Sequence, residues 1–134
     1  MTMIDLTTFK MGWRPNQFFA APAGFEARAK LMTTVPDFNV ALGELDAAMR
    51  SIALAAPRVD IVEEDASRHR VDFVQRSALF KFPDTISVQC VDRGEGRSSL
   101  AIYSRSSVGI GDMGVNKKRV LAWLDALSKK IGSG

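Results

Sequence analysis

The 134-residue sequence contains one cysteine, one histidine and one tyrosine. With Cys90 alone, no intramolecular disulfide can form, which excludes a disulfide-stapled scaffold. Cys90 and His69 are too few to build a Cys/His zinc site. No Asp-x-Asp-x-Asn-Gly calcium loop occurs either, so neither a metal nor a cofactor is expected. No apolar run approaches the ~18–20 residues of a membrane-crossing helix. Met1 to Lys10 carries Asp5 and no apolar core segment, unlike a secretory leader. A cytoplasmic location is therefore the expectation. The excess of one charge sign is small: 18 Lys+Arg against 15 Asp+Glu leaves +3. That value favours solubility more than nucleic-acid binding.

Apolar residues make up 46% of the chain and charged residues 25%, which is enough apolar surface to fold as one domain. Residues 1–36 show little periodicity. Their Trp13, Pro15, Phe18, Phe19, Pro22, Phe25 and Pro36 read as an extended aromatic arm packed on a body at 37–132, with a short helical turn at 27–31. Leu42, Leu45, Met49, Ile52 and Ala56 recur at three- and four-residue steps, predicting a helix over about 40–56. Asp37 or Asn39 is available to cap it, and Pro57 to stop it. Alternating runs at 59–63, 70–76, 85–91 and 98–104 predict four strands, with 92–96 as a hairpin loop. Val120, Trp123, Leu124, Leu127 and Ile131 form the stripe of a last helix over about 113–130, stopped by Gly132. The expected fold is α+β and two-layered, in the order α-β-β-β-β-α. Its antiparallel sheet has one face under both helices and the other in water.

The segment between the last strand and the last helix is the one suited to chemistry. It runs from Ser104 through Arg105, Ser106, Gly109, Gly111, Asp112 and Asn116 to Lys117, Lys118 and Arg119. A Gly/Ser-rich loop entering a helix can turn backbone N–H groups toward an anion, with the helix dipole behind them. Cations at the positive end of a helix are mildly unfavourable, by a few tenths of a kcal/mol each. A bound anion, or Asp112, would offset that cost. The spacing is neither a P-loop nor a Gly-x-Gly-x-x-Gly fingerprint. The simpler reading, and the commoner one for strand-to-helix loops, is that the loop only turns the chain, with Asp112 capping the helix and Arg105 paired to Asp84 or Asp112.

Other chemistry-bearing residues are weaker candidates. His69, in Ser-Arg-His-Arg, reads as an ordinary exposed side chain beside a turn. Cys90 alternates with Ile86 and Val88, the pattern of a buried structural thiol. Glu63, Glu64 and Asp65 form a solvated charge run next to a turn.

Two motifs point to a family. Arg76-Ser77-Ala78-Leu79-Phe80-Lys81-Phe82-Pro83-Asp84 is followed by the stretch Ser104 to Arg119. Together they resemble the bacterial domain-of-unknown-function family 1499, also found in plant plastids, over residues 38 to 128. That family carries Arg-Ser then Phe-Pro-Asp, later Ser-Arg-Ser-Arg-x-Gly, then Asp-x-Gly-x-Asn-Arg-x-Arg. Here Ser107 stands where the family has Arg, Ile110 and Gly111 where it has Tyr and Ser, and Lys117 where it has Arg. The resemblance flags Arg76, Asp84, Arg105, Asp112, Asn116 and Arg119 and implies no particular activity. Relatives are often membrane-anchored, and no anchor is seen in this sequence.

The functional expectation is a non-catalytic binding module. Its partner would be an anionic small molecule, or an acidic group of a protein or lipid. Arg105 and Arg119 would supply fork-like bonds, Lys117 and the backbone of Gly109 and Gly111 would add to them, and Ser104 and Ser106 would line the loop. Asp112 and Asn116 would shape the loop, with Arg76 and Asp84 bracing it. Two alternatives differ in class. One is an accessory protein docking on a partner or membrane surface through the aromatic arm. The other is a hydrolase using Ser104 or Ser106, which would need a positioned base such as His69. Nucleic acid is the weakest reading, since the basic cluster lacks interleaved aromatics.

Overall fold

The protein structure is a computed structural model that describes residues 6, 17–23, 33–78, 82–106 and 114–132. The elements run β1 (Gln17–Ala21), β2 (Thr33–Thr34), α1 (Leu42–Ala55), β3 (Val59–Asp65), β4 (Arg70–Arg76), β5 (Pro83–Gly94), β6 (Arg97–Ser106) and α2 (Val115–Ile131), with a 3-10 turn at Ala66–Arg68. Six strands form one mixed sheet in the order β2-β1-β6-β5-β4-β3. The α-β-β-β-β-α body is as the periodicity predicts. The expected four-stranded antiparallel sheet is corrected to six strands, because β1 pairs antiparallel with β6 and β2 runs parallel to β1.

The two extra strands come from the segment read as an arm. Gln-Phe-Phe-Ala-Ala shows no apolar-polar alternation because both of its faces are buried, so it lacks the period of a half-wet strand. Phe18 and Ala20 join the core under the helices, whereas Phe19 and Ala21 join a second cluster with Leu6, Ala101 and Tyr103. β2 has two residues, too few to carry a period. The short turn expected at 27–31 lies outside the described residues.

Both helices cover one face. Leu45, Met49, Val120, Trp123 and Leu127 pack with Val71, Phe73, Ile86, Val88, Cys90, Leu100 and Ile102. Phe73 meets Trp123 edge-on, with ring centroids 5.9 Å apart. α1 starts without the expected side-chain cap. Its N-cap is Ala41, and Asp37 instead pairs with Arg93 at 3.1 Å. Phe38 bonds Ser98 through both backbone groups, and the Ser98 hydroxyl donates to the Val40 carbonyl. These bonds fix the entry of α1 from the sheet.

Over β5 and β6 the second face of the sheet is not the wet face that the alternation suggested, whereas Asp60 of β3 stays exposed there. Ser87, Gln89, Ala101 and Tyr103 are buried there, and Arg70 is 2% exposed. Arg70 pairs with Asp72 and donates to the Val71 carbonyl. Leu6 is 1% exposed, and its amide donates to Gln89 Oε1 at 3.0 Å. Full burial of one leucine contributes about 1.5–3 kcal/mol, and such a hydrogen bond about 1 kcal/mol.

The β5–β6 hairpin turns through Gly94, Glu95 and Gly96, all with positive φ. Glycine suits two of those positions, and Glu95 adopts the third at some steric cost.

Candidate functional site

α2 enters the fold through Gly114, whose φ of 81° is left-handed. The first helical bond is from the Lys118 amide to the Gly114 carbonyl, so the amides ahead of Lys118 precede the helix's own hydrogen-bond ladder. Alternation along β6 aims Ser104 and Ser106 toward α2. The first turn of α2 therefore lies over the end of β6.

A polar network forms where they meet. Ser104 Oγ donates to Asn116 Oδ1 at 2.6 Å, and Asn116 Nδ2 donates to Ser106 Oγ at 3.1 Å. Arg119 Nη1 donates to the same Asn116 oxygen and to Ser104 Oγ, at 2.8 and 3.0 Å. Arg119 Nη2 donates to Asp84 Oδ2 at 2.8 Å, and Nε donates to Gln75 Oε1. One guanidinium thus joins α2 to β4, β5 and β6. The Arg119 side chain is 9% exposed and that of Asp84 is 15%, so the pair lies at the core boundary. A charge at that depth is tolerable because its donors are met.

The sequence-predicted residues separate into groups. Ser104, Ser106, Asn116, Arg119 and Asp84 come together as described. Gln75 belongs with them and was missed. It lies in step with Val71 and Phe73 on the core side of β4, and a polar residue at a core-facing position is the signal that could have found it. Arg105 lies on the other face of the sheet. Its guanidinium donates to Ser87 Oγ at 3.0 Å and stacks 4.6 Å from the centre of the Tyr103 ring. The Tyr103 hydroxyl donates to Gln17 Oε1. Arg105 and Arg119 therefore do not form one clamp; Asp84 pairs with Arg119 across the sheet from Arg105, and Asp112, the other partner expected for Arg105, lies outside the described residues. Arg76 is exposed and one residue out of step with Gln75; its amide bonds the Arg58 carbonyl. Lys117 is exposed beside the helix opening, as is Lys118. Gly109, Gly111 and Asp112 lie outside the described residues.

His69 sits at the far end of β4 from Gln75, about 20 Å away at ~3.3 Å per residue. Its ring faces Asp46 of α1 at 3.4 Å. Ser104 and Ser106 instead bond Asn116 and Arg119. Cys90 is buried under α1, and burial pushes its thiol pKa well above the usual range, with Asp46 adding to the effect. Phe18 and Phe19 are buried within the sheet, so they are not docking side chains. Among the described residues, no group of three or more His, Cys, Asp or Glu side chains is placed to hold a metal ion. Likewise, no described helix is long and apolar enough to cross a membrane.

The fold and the site define a class: a two-layer α+β domain whose last helix is braced to the sheet by one arginine and opens on an Asn-Lys-Lys turn. The chain belongs to the DUF1499 family, described as protein of unknown function, whose model matches residues 12–127. The match begins ahead of β1, so it includes the sheet strand that the sequence pattern left in the arm. Among curated proteins, none matches this chain.

Proposed function

We propose that this domain is a non-catalytic binding module that holds an anionic group at the opening of α2. The group would be a small anionic molecule, or the acidic head of a protein or lipid. The observation that carries the reading is electrostatic. The first turn of α2 contains no acidic residue and has two exposed lysines, at the positive end of the helix dipole. Both the helix end and the lysines favour negative charge at the same spot. Arg119 serves this arrangement indirectly. Its donors go to Gln75, Ser104, Asn116 and Asp84, so it anchors the helix opening, and Lys117 and Lys118 supply the cations that meet the ligand. A hydrolytic role is disfavoured, since the hydroxyls of Ser104 and Ser106 face an amide and a guanidinium, with no imidazole near them.

The test is a low-salt thermal-shift titration with phosphate, sulfate, nucleotides, phospho-sugars, carboxylates and anionic lipid head groups. At a hundred times its Kd, a ligand adds about 2.7 kcal/mol. The expected result is a shift confined to one chemical class. It is lost in the Lys117→Ala/Lys118→Ala double variant and kept in Arg105→Ala, whose side chain lies across the sheet. No shift with any anion, or a shift that survives the double lysine variant, would overturn the reading.

A further inference from the structure

We propose that the end of the domain around the α2 opening docks on an anionic lipid bilayer. Phe82 and Val115 enter its headgroup layer, and Arg58, Lys117 and Lys118 meet its phosphates. This rests on the anion reading of the same site and gives it a partner. The topology brings these residues to one end of the sheet. Val59 pairs with Gln75, Gln75 with Asp84, and Asp84 with Ser106, so β3 begins where β4 ends, β5 begins and β6 ends. Arg119 holds Asp84, which places the first turn of α2 at that same end. Phe82 is 48% exposed and Val115 44%. Arg58, Lys117 and Lys118 are exposed as well. Among the described residues, no carboxylate pairs with any of these three cations. Of the described carboxylates at this end, Asp84 is taken by Arg119, and Asp60 lies on the second face of the sheet.

The exposed groups are held by their backbones. The Phe82 amide donates to Ser77 Oγ, and the Ser77 amide donates to the Phe82 carbonyl, both at 3.0 Å. Arg58 keeps a left-handed φ of 59°, a costly conformation for a residue with a side chain. Its Nε donates to the Arg76 carbonyl at 2.9 Å, and its own carbonyl accepts the Arg76 amide. Gln75 Nε2 donates to the Pro57 carbonyl, so the exit of α1 is tied to the end of β4. A small soluble anion needs the cations and has no use for apolar side chains exposed next to them. A bilayer surface uses both. Aromatic and aliphatic groups settle at the boundary of headgroups and acyl chains, while Lys and Arg side chains reach the phosphates. Each Lys or Arg near an anionic surface strengthens binding about fivefold. The far end of α2 provides an internal comparison. Lys129 and Lys130 are exposed there, about 18 Å from Lys117 at 1.5 Å per residue.

The test is co-sedimentation of the full chain with vesicles of phosphatidylcholine alone and of phosphatidylcholine mixed with phosphatidylglycerol. The chain should bind the mixed vesicles only, and binding should weaken as salt is added. Lys117→Ala/Lys118→Ala should bind roughly tenfold or more weakly, from about fivefold for each cation. Phe82→Ser, a change at an exposed position, should also bind several-fold more weakly. Lys129→Ala/Lys130→Ala removes the same charge from the far end of α2 and should bind like the wild type. Absence of binding to the mixed vesicles would overturn the proposal. So would an equal loss in the two double lysine variants, which would mean diffuse attraction of a basic protein, or full binding by Phe82→Ser. Glycerol phosphate and a poly-glutamate peptide, titrated in parallel by thermal shift, separate this proposal from the anion reading. A shift with glycerol phosphate that needs Lys117 and Lys118, without vesicle binding, would overturn the membrane partner and leave the anion site standing. A shift with poly-glutamate alone would make the partner an acidic protein and overturn the bilayer. Absence of any shift and of vesicle binding would overturn both.

Discussion

Arg119 of α2 and Asp84 of β5 pair at 2.8 Å although 35 residues separate them in the chain. The same guanidinium also holds Gln75 on β4 and Ser104 on β6. A helix N-terminus carrying three consecutive cations is thereby fixed over the sheet end, despite the unfavourable dipole term.

Removing that guanidinium should be costly. Arg119→Ala leaves the Asp84 carboxylate, Gln75 and the Asn116 carbonyl without their donor at a mostly buried site. The expected loss is about 3 kcal/mol, toward the lower end for a broken buried ion pair. Urea unfolding of the two proteins measures it. A loss under 1 kcal/mol would mean that the network is dispensable.

Ser104 and Asn116 should be energetically coupled. Each single alanine substitution strands a polar partner at a buried contact, at about 1–3 kcal/mol. The double substitution removes both members together, so its cost should fall short of the sum by about 1 kcal/mol. A double-mutant cycle in chemical denaturation reads this directly. Strict additivity would show that Ser104 and Asn116 act independently.

Cys90 predicts a limb in the alkaline stability profile. Its folded thiol pKa lies well above the ordinary value of 9.0, chiefly through burial. Above that ordinary value the unfolded chain releases a proton that the native state keeps. The unfolded state then binds fewer protons, so stability falls as pH rises. The slope approaches about 1.4 kcal/mol per pH unit for this one group. Between pH 9 and 10.5, Cys90→Ala should lose stability less steeply than the wild type. Parallel profiles would contradict the buried thiol.

The β5–β6 turn offers a stabilising change. Glu95 holds a φ of 55°, a region that costs a side-chain-bearing residue about 1–2 kcal/mol. Glu95→Gly removes that strain while loosening the unfolded chain, for a net gain of about 0.5 kcal/mol. A thermal melt should rise slightly. A lower melting point would mean that the glutamate side chain makes a compensating contact.

What the sequence by itself determined was local. The spacing of Leu45, Met49, Val120, Trp123 and Leu127 set two amphipathic helices, because 3.6-residue periodicity is a property of the chain. Alternation at 70–76, 85–91 and 98–104 set strands, and the glycines around Glu95 set their hairpin. The Ser-Arg-Ser and Asn-Lys-Lys-Arg motifs also marked Ser104, Asn116 and Arg119 before any fold was known. The tertiary structure decided the rest. β1 became a strand only by pairing with β6, more than 80 residues away, and burial on both faces erased the alternation that would have announced it. Arg105 and Arg119 look equivalent in the motif, yet the pleat of β6 puts Ser104 under α2 and sends Arg105 through the sheet to Ser87. Spacing in sequence fixes which side of an element a residue occupies. Only long-range pairing fixes what that side meets.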